Sequence, residues 1–116
     1  MVDNIPQIAY KSELAQALVA KLDSLCDVQG LPTIIAVISG HTHYDWSEYS
    51  SKGYPIIASV CDSCWGWKNN VDYPWAPERE TRTINEQSFD VFSIDKTERK
   101  IYLTKVGYGS NREFTY

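Results

Sequence analysis

Residues 33–45 have the sequence TIIAVISGHTHYD, and this stretch decides the fold class that the chain is expected to adopt. Its first seven residues are mostly β-branched and apolar, which is typical of a strand with both faces covered in an α/β sheet. The run ends in Ser39 and Gly40, and the only two histidines of the chain, His41 and His43, follow directly. Because open α/β sheets bind ligands beyond the carboxyl ends of their strands, the sequence predicts a ligand-presenting edge here.

The segment before this run predicts a helix. Ser12 is a suitable N-cap, and Glu13 is favourable in the first turn. Gly30 is a suitable terminating glycine. Four leucines follow the cap at helical spacing: Leu14, Leu18, Leu22 and Leu25. The pattern predicts one amphipathic helix over residues 12–25, whose leucine stripe packs against the sheet.

The rest of the chain predicts further strands and one long loop. Strands are expected, besides residues 33–39, at residues 55–61, 88–95 and 100–106. The last two flank a short polar turn, so they are expected to pair as an antiparallel hairpin. Residues 62–87 are rich in Trp, Pro and Asn and predict a long aromatic-rich loop. The expected architecture is one α/β domain, residues 1–116, with a helix packed on a mixed β-sheet and a C-terminal antiparallel hairpin.

Composition excludes several classes of function. The net charge is -4 and no run of Lys and Arg exceeds two residues, so the chain has no nucleic-acid footprint. No segment approaches the roughly 18 consecutive apolar residues of a membrane helix, and the N-terminus has no signal-peptide pattern. Three cysteines are too few, and odd in number, for a secreted disulfide framework. These features predict a cytoplasmic protein that does not enter membranes.

The histidine pair predicts metal binding. Imidazole is the commonest neutral ligand for Zn, Mn, Fe and Ni, and rings at i and i+2 of a turn can reach different ions. Gly40 is expected to let the backbone bend tightly and to keep a Cβ out of the site. Asp45 follows closely and is either an added ligand or an acceptor of hydrogen bonds within the turn. The structural alternative is that His41 and His43 are solvent-facing loop residues.

The sequence VISGHTHYD resembles the last conserved motif of the calcineurin-like metallophosphoesterases, Gly-His-x-His, which matches residues 40–43. The C-terminal tail is also similar to bacterial and phage-associated members of that family, so the resemblance covers residues 12–116. The tail residues that carry it are Ile94, Asp95, Lys96, Ile101, Lys105, Val106, Gly107, Gly109, Asn111, Arg112, Phe114 and Tyr116.

This resemblance implies a two-metal hydrolase of phosphomonoesters or phosphodiesters, with His41 and His43 each binding one divalent ion (Mn, Fe, Zn or Ni). The family places this motif at the end of a sheet strand in an α/β/β/α sandwich. Its upstream motifs, Asp-x-His, Gly-Asp, Gly-Asn-His and a further His, do not occur in this chain. The chain is therefore expected to correspond to the C-terminal half of the sandwich and to be inactive alone, with no metal necessarily bound.

A half-sandwich is also expected to associate with itself. An uncovered apolar face and an unpaired strand edge both favour self-association. The sequence therefore predicts a homodimer.

Other residues allow alternative functions. Cys61 and Cys64 form a C-x-x-C pair, and with His41 and His43 they would give the ligand count of a tetrahedral zinc site. A second alternative is a non-catalytic binding or assembly module that keeps the fold without the chemistry. The C-x-x-C pair could also be redox-active, or simply two small hydrophobic side chains.

The aromatic-rich loop supplies candidates for a substrate cleft. Together with Asp45, these candidates are Trp65, Trp67, Tyr73 and Trp75, which could stack on a base or a sugar. The alternative is a hydrophobic cluster that holds the loop to the sheet. Arg79 and Arg82 follow the loop and would either contact a phosphate or lie on the surface.

Overall fold

The computed structural model describes residues 13–29, 33–40, 44–63 and 79–116. Over these residues the fold is mixed α/β, with one helix and two small sheets, which confirms the predicted class. The elements are α1 (Glu13–Gln29), β1 (Val37–Ser39), β2 (Trp46–Tyr49), β3 (Pro55–Ala58), β4 (Asp62–Ser63), a 3₁₀ turn (Ile84–Glu86), β5 (Gln87–Asp95), β6 (Lys100–Gly107) and β7 (Arg112–Thr115).

The first sheet has the strand order β1-β3-β2. β1 pairs in parallel with β3, with Val37 opposite Ile56, and β2 pairs antiparallel with β3, with Trp46 opposite Ala58. The sheet is therefore mixed, as predicted. All four residues of β3 are buried, so β3 is the strand that is covered on both faces.

β1 differs from its prediction. Only residues 37–39 of the predicted 33–39 strand form the ladder, and within the described part of the chain β1 is an edge strand. Ile38 is 55% exposed. A continuous apolar run predicts that a strand is buried, but it does not specify which strands lie beside it. Among the described residues, β1 has a neighbouring strand on one side only.

Helix α1 packs on the first sheet through Val19, Leu22 and Cys26, which contact a cluster around Tyr54 and Ile56. The Tyr54 hydroxyl donates a 2.7 Å hydrogen bond to Asp23 of the helix. Burial of the phenol, and secondarily this bond, raise the pKa of Tyr54.

The prediction that the four leucines of the helix all face the core is wrong. Leu14 is 81% exposed and Leu18 is 52% exposed, and of the four leucines Leu22 packs in the core. The helix also continues past Leu25 to Gln29. The helix face that packs on the sheet carries Val19, Leu22 and Cys26, because these three residues lie on one side of the helix at helical spacing.

The second sheet has the order β4-β5-β6-β7 and is antiparallel throughout. The predicted hairpin is confirmed, since β5 and β6 pair along eight residue pairs from Ser88 to Asp95. Asp95 closes its turn by accepting hydrogen bonds from the amides of Thr97 and Glu98 at 2.8 and 2.9 Å. In the predicted 62–87 loop, β4 and the 3₁₀ turn are short ordered elements, and residues 64–78 lie outside the described part.

The two sheets face each other, whereas a single sheet was predicted. Ile57 of the first sheet packs against Ile101, Leu103 and Phe114 of the second. At one side the Tyr49 ring lies edge-on to Phe114 with centroids 6.4 Å apart, so β2 lies over β7. Alternation along β5 and β6 predicts one buried face for the hairpin, but it does not indicate what covers that face.

No helix among the described residues has both the length and the apolar character that crossing a membrane requires.

Substitution of two leucines tests which residues form the core. Leu103→Ala removes a side chain that is 1% exposed and should lower the free energy of unfolding by about 2–5 kcal/mol. The matched Leu14→Ala variant should change it by less than about 0.5 kcal/mol, because Leu14 is mostly in water. Urea denaturation followed by far-UV circular dichroism measures both. Equal losses for the two variants would contradict the packing described.

Candidate functional site

The candidate site lies at the carboxyl edge of β1 and β3. Because these strands are parallel, their carboxyl ends meet, and the Ser59 amide donates a 2.9 Å hydrogen bond to the Ser39 carbonyl. Gly40 and Tyr44 flank the histidine pair on either side. His41 and His43 lie outside the described residues, so their metal-binding role stays a prediction.

The predicted steric need for Gly40 is not supported. A Cβ at this position would meet the Ser59 carbonyl oxygen at 3.8 Å, which is ordinary van der Waals contact. The backbone of Gly40 is also not among the positive-φ glycines. Neither crowding by the described residues nor a left-handed backbone therefore requires glycine here.

Asp45 joins the two sheets. Its carboxylate accepts a 2.9 Å hydrogen bond from the Val60 amide, just beyond β3. It also forms ion pairs with Lys105 at 2.8 Å and with Arg112 at 3.2 Å. These partners come from the far end of β3, from β6 and from β7. Because residues 41–43 lie outside the described residues, the expectation that Asp45 bonds within its own turn stays a prediction.

A second carboxylate completes an ion cluster, which we define as Asp45, Asp90, Lys105 and Arg112. The Asp90 side chain is fully buried, and its Oδ2 lies 3.0 Å from the Lys105 ammonium and 2.9 Å from the Arg112 guanidinium. The Ser59 hydroxyl donates to the same oxygen at 2.5 Å. Two carboxylates and two cations thus neutralise each other at the sheet edge where the histidine segment begins and ends.

Opposing effects act on the pKa of Asp90. Burial is the largest and favours the neutral acid, but hydrogen bonds from Ser59, Lys105 and Arg112, with the charge of Lys105, outweigh it. The net result is a pKa of Asp90 below its usual range. The carboxylate is therefore ionised in the folded protein near neutral pH.

Arg112 also satisfies backbone carbonyls. Its Nη1 donates to the carbonyl of Ala58 at 3.1 Å and, more weakly, to that of Trp46 at 3.4 Å. One guanidinium therefore binds the end of β3, the start of β2 and both carboxylates of the cluster. A planar donor with five N–H groups can make these contacts together, which a lysine ammonium cannot.

Sequence reasoning missed this cluster, although a signal was present. Asp90 and Lys105 are direct register partners in the β5–β6 hairpin, and both point to its buried face. Opposite charges at inward positions of a predicted hairpin indicate a buried pair. Lys105 and Arg112 were already named among the tail residues that carry the family resemblance, but no ion pair was predicted for them.

Two glycines of the tail are required by the backbone between β6 and β7. Gly107 has φ +89°, and a Cβ there would lie 1.9 Å from the Gln87 carbonyl oxygen. Gly109 has φ +120°, and its Cβ would lie 3.0 Å from the Lys105 side chain and 3.3 Å from Asp45. The Asn111 side chain then accepts a 2.9 Å hydrogen bond from the Lys105 amide. This turn holds Lys105 and Arg112 beside each other.

The remaining predicted residues are separated from this site or lie outside the description. Cys61 is exposed, and four aromatic candidates and Cys64 lie outside the described residues: Trp65, Trp67, Tyr73 and Trp75. Arg79 is buried and paired with Asp62, with its guanidinium 6.0 Å from the Tyr108 ring centre, so it is not a surface residue. Arg82 is exposed with a positive φ of 64°.

The described donor set does not fit a two-metal centre. Among those residues no group of three or more His, Cys, Asp or Glu could hold a metal ion. Asp45 and Asp90 are the carboxylates that the described residues bring to this edge, and both are paired with Lys105 and Arg112. A bridging carboxylate between two cations would have to come from elsewhere.

Comparison with protein-family models, with curated proteins and with solved structures finds no match to this chain.

Neutralising Asp90 tests the cluster. Asp90→Asn leaves Lys105 and Arg112 with Asp45 as their shared carboxylate, and it should lower the free energy of unfolding by about 3–5 kcal/mol. Asp27→Asn removes the exposed partner of Lys52 and should leave the free energy of unfolding nearly unchanged. Chemical denaturation at pH 7 measures both. Similar small losses would show that the cluster contributes little.

Asp90→Asn also tests how the free energy of unfolding depends on pH. Because the pKa of Asp90 is lowered by folding, its stabilisation is present above the unfolded value of about 3.9 and is lost as pH falls through the folded value. The unfolding free energy of the wild type should therefore fall below about pH 4 more steeply than that of Asp90→Asn. Denaturation curves across this range provide the measurement, and identical slopes would contradict it.

The β6–β7 turn is tested by a pair of glycines with equal φ. Gly53 also has φ +89°, but a Cβ there would meet nothing within 4 Å. Gly53→Ala should cost about 1–2 kcal/mol from backbone strain alone. Gly107→Ala should cost that amount and about 1–3 kcal/mol more, because its methyl group collides with backbone. Thermal unfolding compares them, and equal melting temperatures would rule out the collision.

Proposed function

We propose that this chain is the C-terminal part of a two-metal phosphoesterase of the calcineurin-like type, corresponding to the C-terminal half of an α/β/β/α sandwich. In the complete enzyme, His41 and His43 each bind one divalent ion, and the substrate is a phosphomonoester or a phosphodiester. The chain alone carries one metal-ligand motif of that site and is inactive.

One observation carries this proposal. The resemblance has two parts that are distant in sequence, the Gly-His-x-His motif and the tail that ends in Arg112 and Tyr116. In the fold these parts meet, since Arg112 bonds Asp45, which is 67 residues earlier and two residues after His43. Two chance similarities would have no reason to converge on one edge of a sheet.

The position of that edge supports a ligand site. Gly40 follows the carboxyl end of a strand that is parallel to its neighbour, where α/β sheets bind ligands. Before the histidine segment, the Ser39 carbonyl accepts a hydrogen bond from the Ser59 amide. After it, Asp45 accepts a hydrogen bond from the Val60 amide and forms ion pairs with Lys105 and Arg112. Both ends of a metal-binding segment are thereby held to the same sheet.

The chemistry explains why the isolated chain should not turn over. When bound, two divalent ions polarise the phosphate and activate a water as the nucleophile. Within the described residues, the carboxylates of this edge hold Lys105 and Arg112 instead of offering negative charge to cations. Two imidazoles carry no charge that could offset the mutual repulsion of two close divalent ions.

Metal titration tests the role of the histidines. Binding of Ni²⁺ or Mn²⁺, followed by calorimetry, should be weak in the wild type. It should fall at least tenfold, or about 1.4 kcal/mol, in His41→Ala and in His43→Ala. Cys61→Ser is the control and should bind as the wild type does. Tightly held stoichiometric zinc that is lost in Cys61→Ser would instead show a zinc-binding domain.

Hydrolysis tests the incompleteness of the site. With Mn²⁺, Ni²⁺ or Zn²⁺ added, the chain should not hydrolyse an aryl phosphate or a bis-aryl phosphodiester faster than the metal alone. This expectation follows because the two imidazoles are uncharged and because the carboxylates of Asp45 and Asp90 are already paired with Lys105 and Arg112. Metal-dependent turnover that disappears in His41→Ala would show that the chain is a complete enzyme.

A further inference from the structure

Lys105 is a buried amine held against two carboxyl groups. Its side chain is 1% exposed, and its Nζ lies 2.8 Å from Oδ2 and 3.1 Å from Oδ1 of Asp45. Nζ therefore faces the carboxyl carbon that joins these two oxygens. The Oδ2 of Asp90, whose side chain is fully buried, lies 3.0 Å from the same Nζ. An amine, an acyl carbon and a second carboxylate thus meet between the two sheets.

The two oxygens of Asp45 have different surroundings. Oδ1 accepts hydrogen bonds from the Val60 amide at 2.9 Å and from Arg112 Nη2 at 3.2 Å. Two donors in fixed positions stabilise an oxygen that becomes negatively charged when a carboxyl carbon is attacked. Oδ2 is the oxygen closer to the Lys105 amine. Oδ1 is therefore suited to carry the charge of a tetrahedral intermediate, and Oδ2 is suited to leave.

We propose that Lys105 and Asp45 condense into an internal amide bond, with Asp90 as the catalytic residue that transfers the protons. Asp90 accepts a proton from the Lys105 ammonium, and the neutral amine attacks the carboxyl carbon of Asp45. The bond between that carbon and Oδ2 breaks, and Oδ2 leaves as water with the two protons that the nitrogen has lost. One ammonium and one carboxylate become one amide and one water, so atoms and charge balance without a co-reactant.

Asp90 has the charge and the contacts that this role requires. Its pKa lies below its usual range, so the carboxylate is ionised near neutral pH and can accept a proton. Its Oδ1 is buried and has no hydrogen-bond partner among the described residues, which leaves lone pairs for a proton in transit. A carboxylate with a low pKa is a weak base, but the fixed contact with Lys105 replaces a bimolecular encounter.

The turn between β6 and β7 holds the two reacting groups together. A Cβ on Gly109 would lie 3.0 Å from the Lys105 side chain and 3.3 Å from Oδ2 of Asp45, so the glycine lets both groups pack against the turn. The Asn111 side chain fixes the lysine backbone by accepting a hydrogen bond from its amide at 2.9 Å. The amine therefore reaches the carboxyl carbon without a rearrangement of either strand.

The amide bond joins two distant parts of the chain. Asp45 directly precedes β2 of the first sheet, and Lys105 lies 60 residues later in β6 of the second. The bond therefore fastens one sheet to the other. It constrains the unfolded chain as a disulfide does, but reducing agents do not break it. This inference does not depend on the proposed enzymatic function.

The intact mass of the full chain tests the proposal. The wild type, purified and incubated overnight at neutral pH, should be lighter by one water than its sequence requires. Lys105→Arg keeps the positive charge without a nucleophilic amine and should have its full mass, as should Asp90→Asn. Lys100→Arg is the matched control, because Lys100 forms a more exposed ion pair with Glu113, and it should lose water as the wild type does.

Peptide mapping locates the bond. Trypsin does not cut after an acylated lysine, so the wild type should give a branched peptide of residues 22–52 joined to residues 101–112. If Lys105→Arg or Asp90→Asn loses its far-UV circular dichroism spectrum, this branched peptide decides alone.

Four results would overturn parts or all of the proposal. A wild type of full mass overturns it, as does a loss of water that persists in Lys105→Arg, since that loss marks a cyclic imide at an aspartate. A branch to residues 83–96, which contain Asp90, overturns the assignment of Asp45 as the acyl group. A branched peptide that still forms in Asp90→Asn overturns the catalytic role of Asp90.

Discussion

The buried carboxylate of Asp90 is the constraint on which much of this structure depends. A charge withdrawn from water must be paired and hydrogen-bonded, or the group becomes neutral. Asp90 has two cations and one hydroxyl around a single oxygen. The cations come from β6 and β7 and the hydroxyl from the end of β3, so the requirements of one side chain tie the hairpin to the first sheet.

Other features follow from the need to bring Lys105 and Arg112 together. The chain must reverse between β6 and β7 within a few residues, and Gly107 and Gly109 allow this with positive φ and no Cβ. Arg112 in turn binds the carbonyls of Ala58 and Trp46. The ion cluster therefore holds the strand ends that flank the proposed metal-ligand segment. Its two carboxylates, Asp45 and Asp90, are both paired with these cations.

The β1 side of the described fold leaves large apolar side chains in water. The hairpin covers one face of the first sheet and α1 covers the other. Within the described residues, Ile38 at the β1 edge and Leu18 on the helix are nevertheless more than half exposed. Ile38 and Leu18 have the sequence character of core residues without a core around them in the described chain.

The sequence by itself determined the mixed α/β class, the helix, the antiparallel hairpin and the strand ending at the histidine pair, because hydrophobic periodicity and turn residues are local signals. It also singled out Lys105, Gly107, Gly109 and Arg112, though without a physical reason. Only the tertiary structure decided that the strands divide into two sheets, that β1 is an edge, and that Val19 and Cys26 face the core instead of Leu14 and Leu18. It alone joined Asp45 to Lys105 and Arg112, which are 60 and 67 residues later in the chain. Periodicity specifies that a face will be apolar, but the partner of that face, like the partner of a charge, comes from elsewhere in the chain and is fixed by packing.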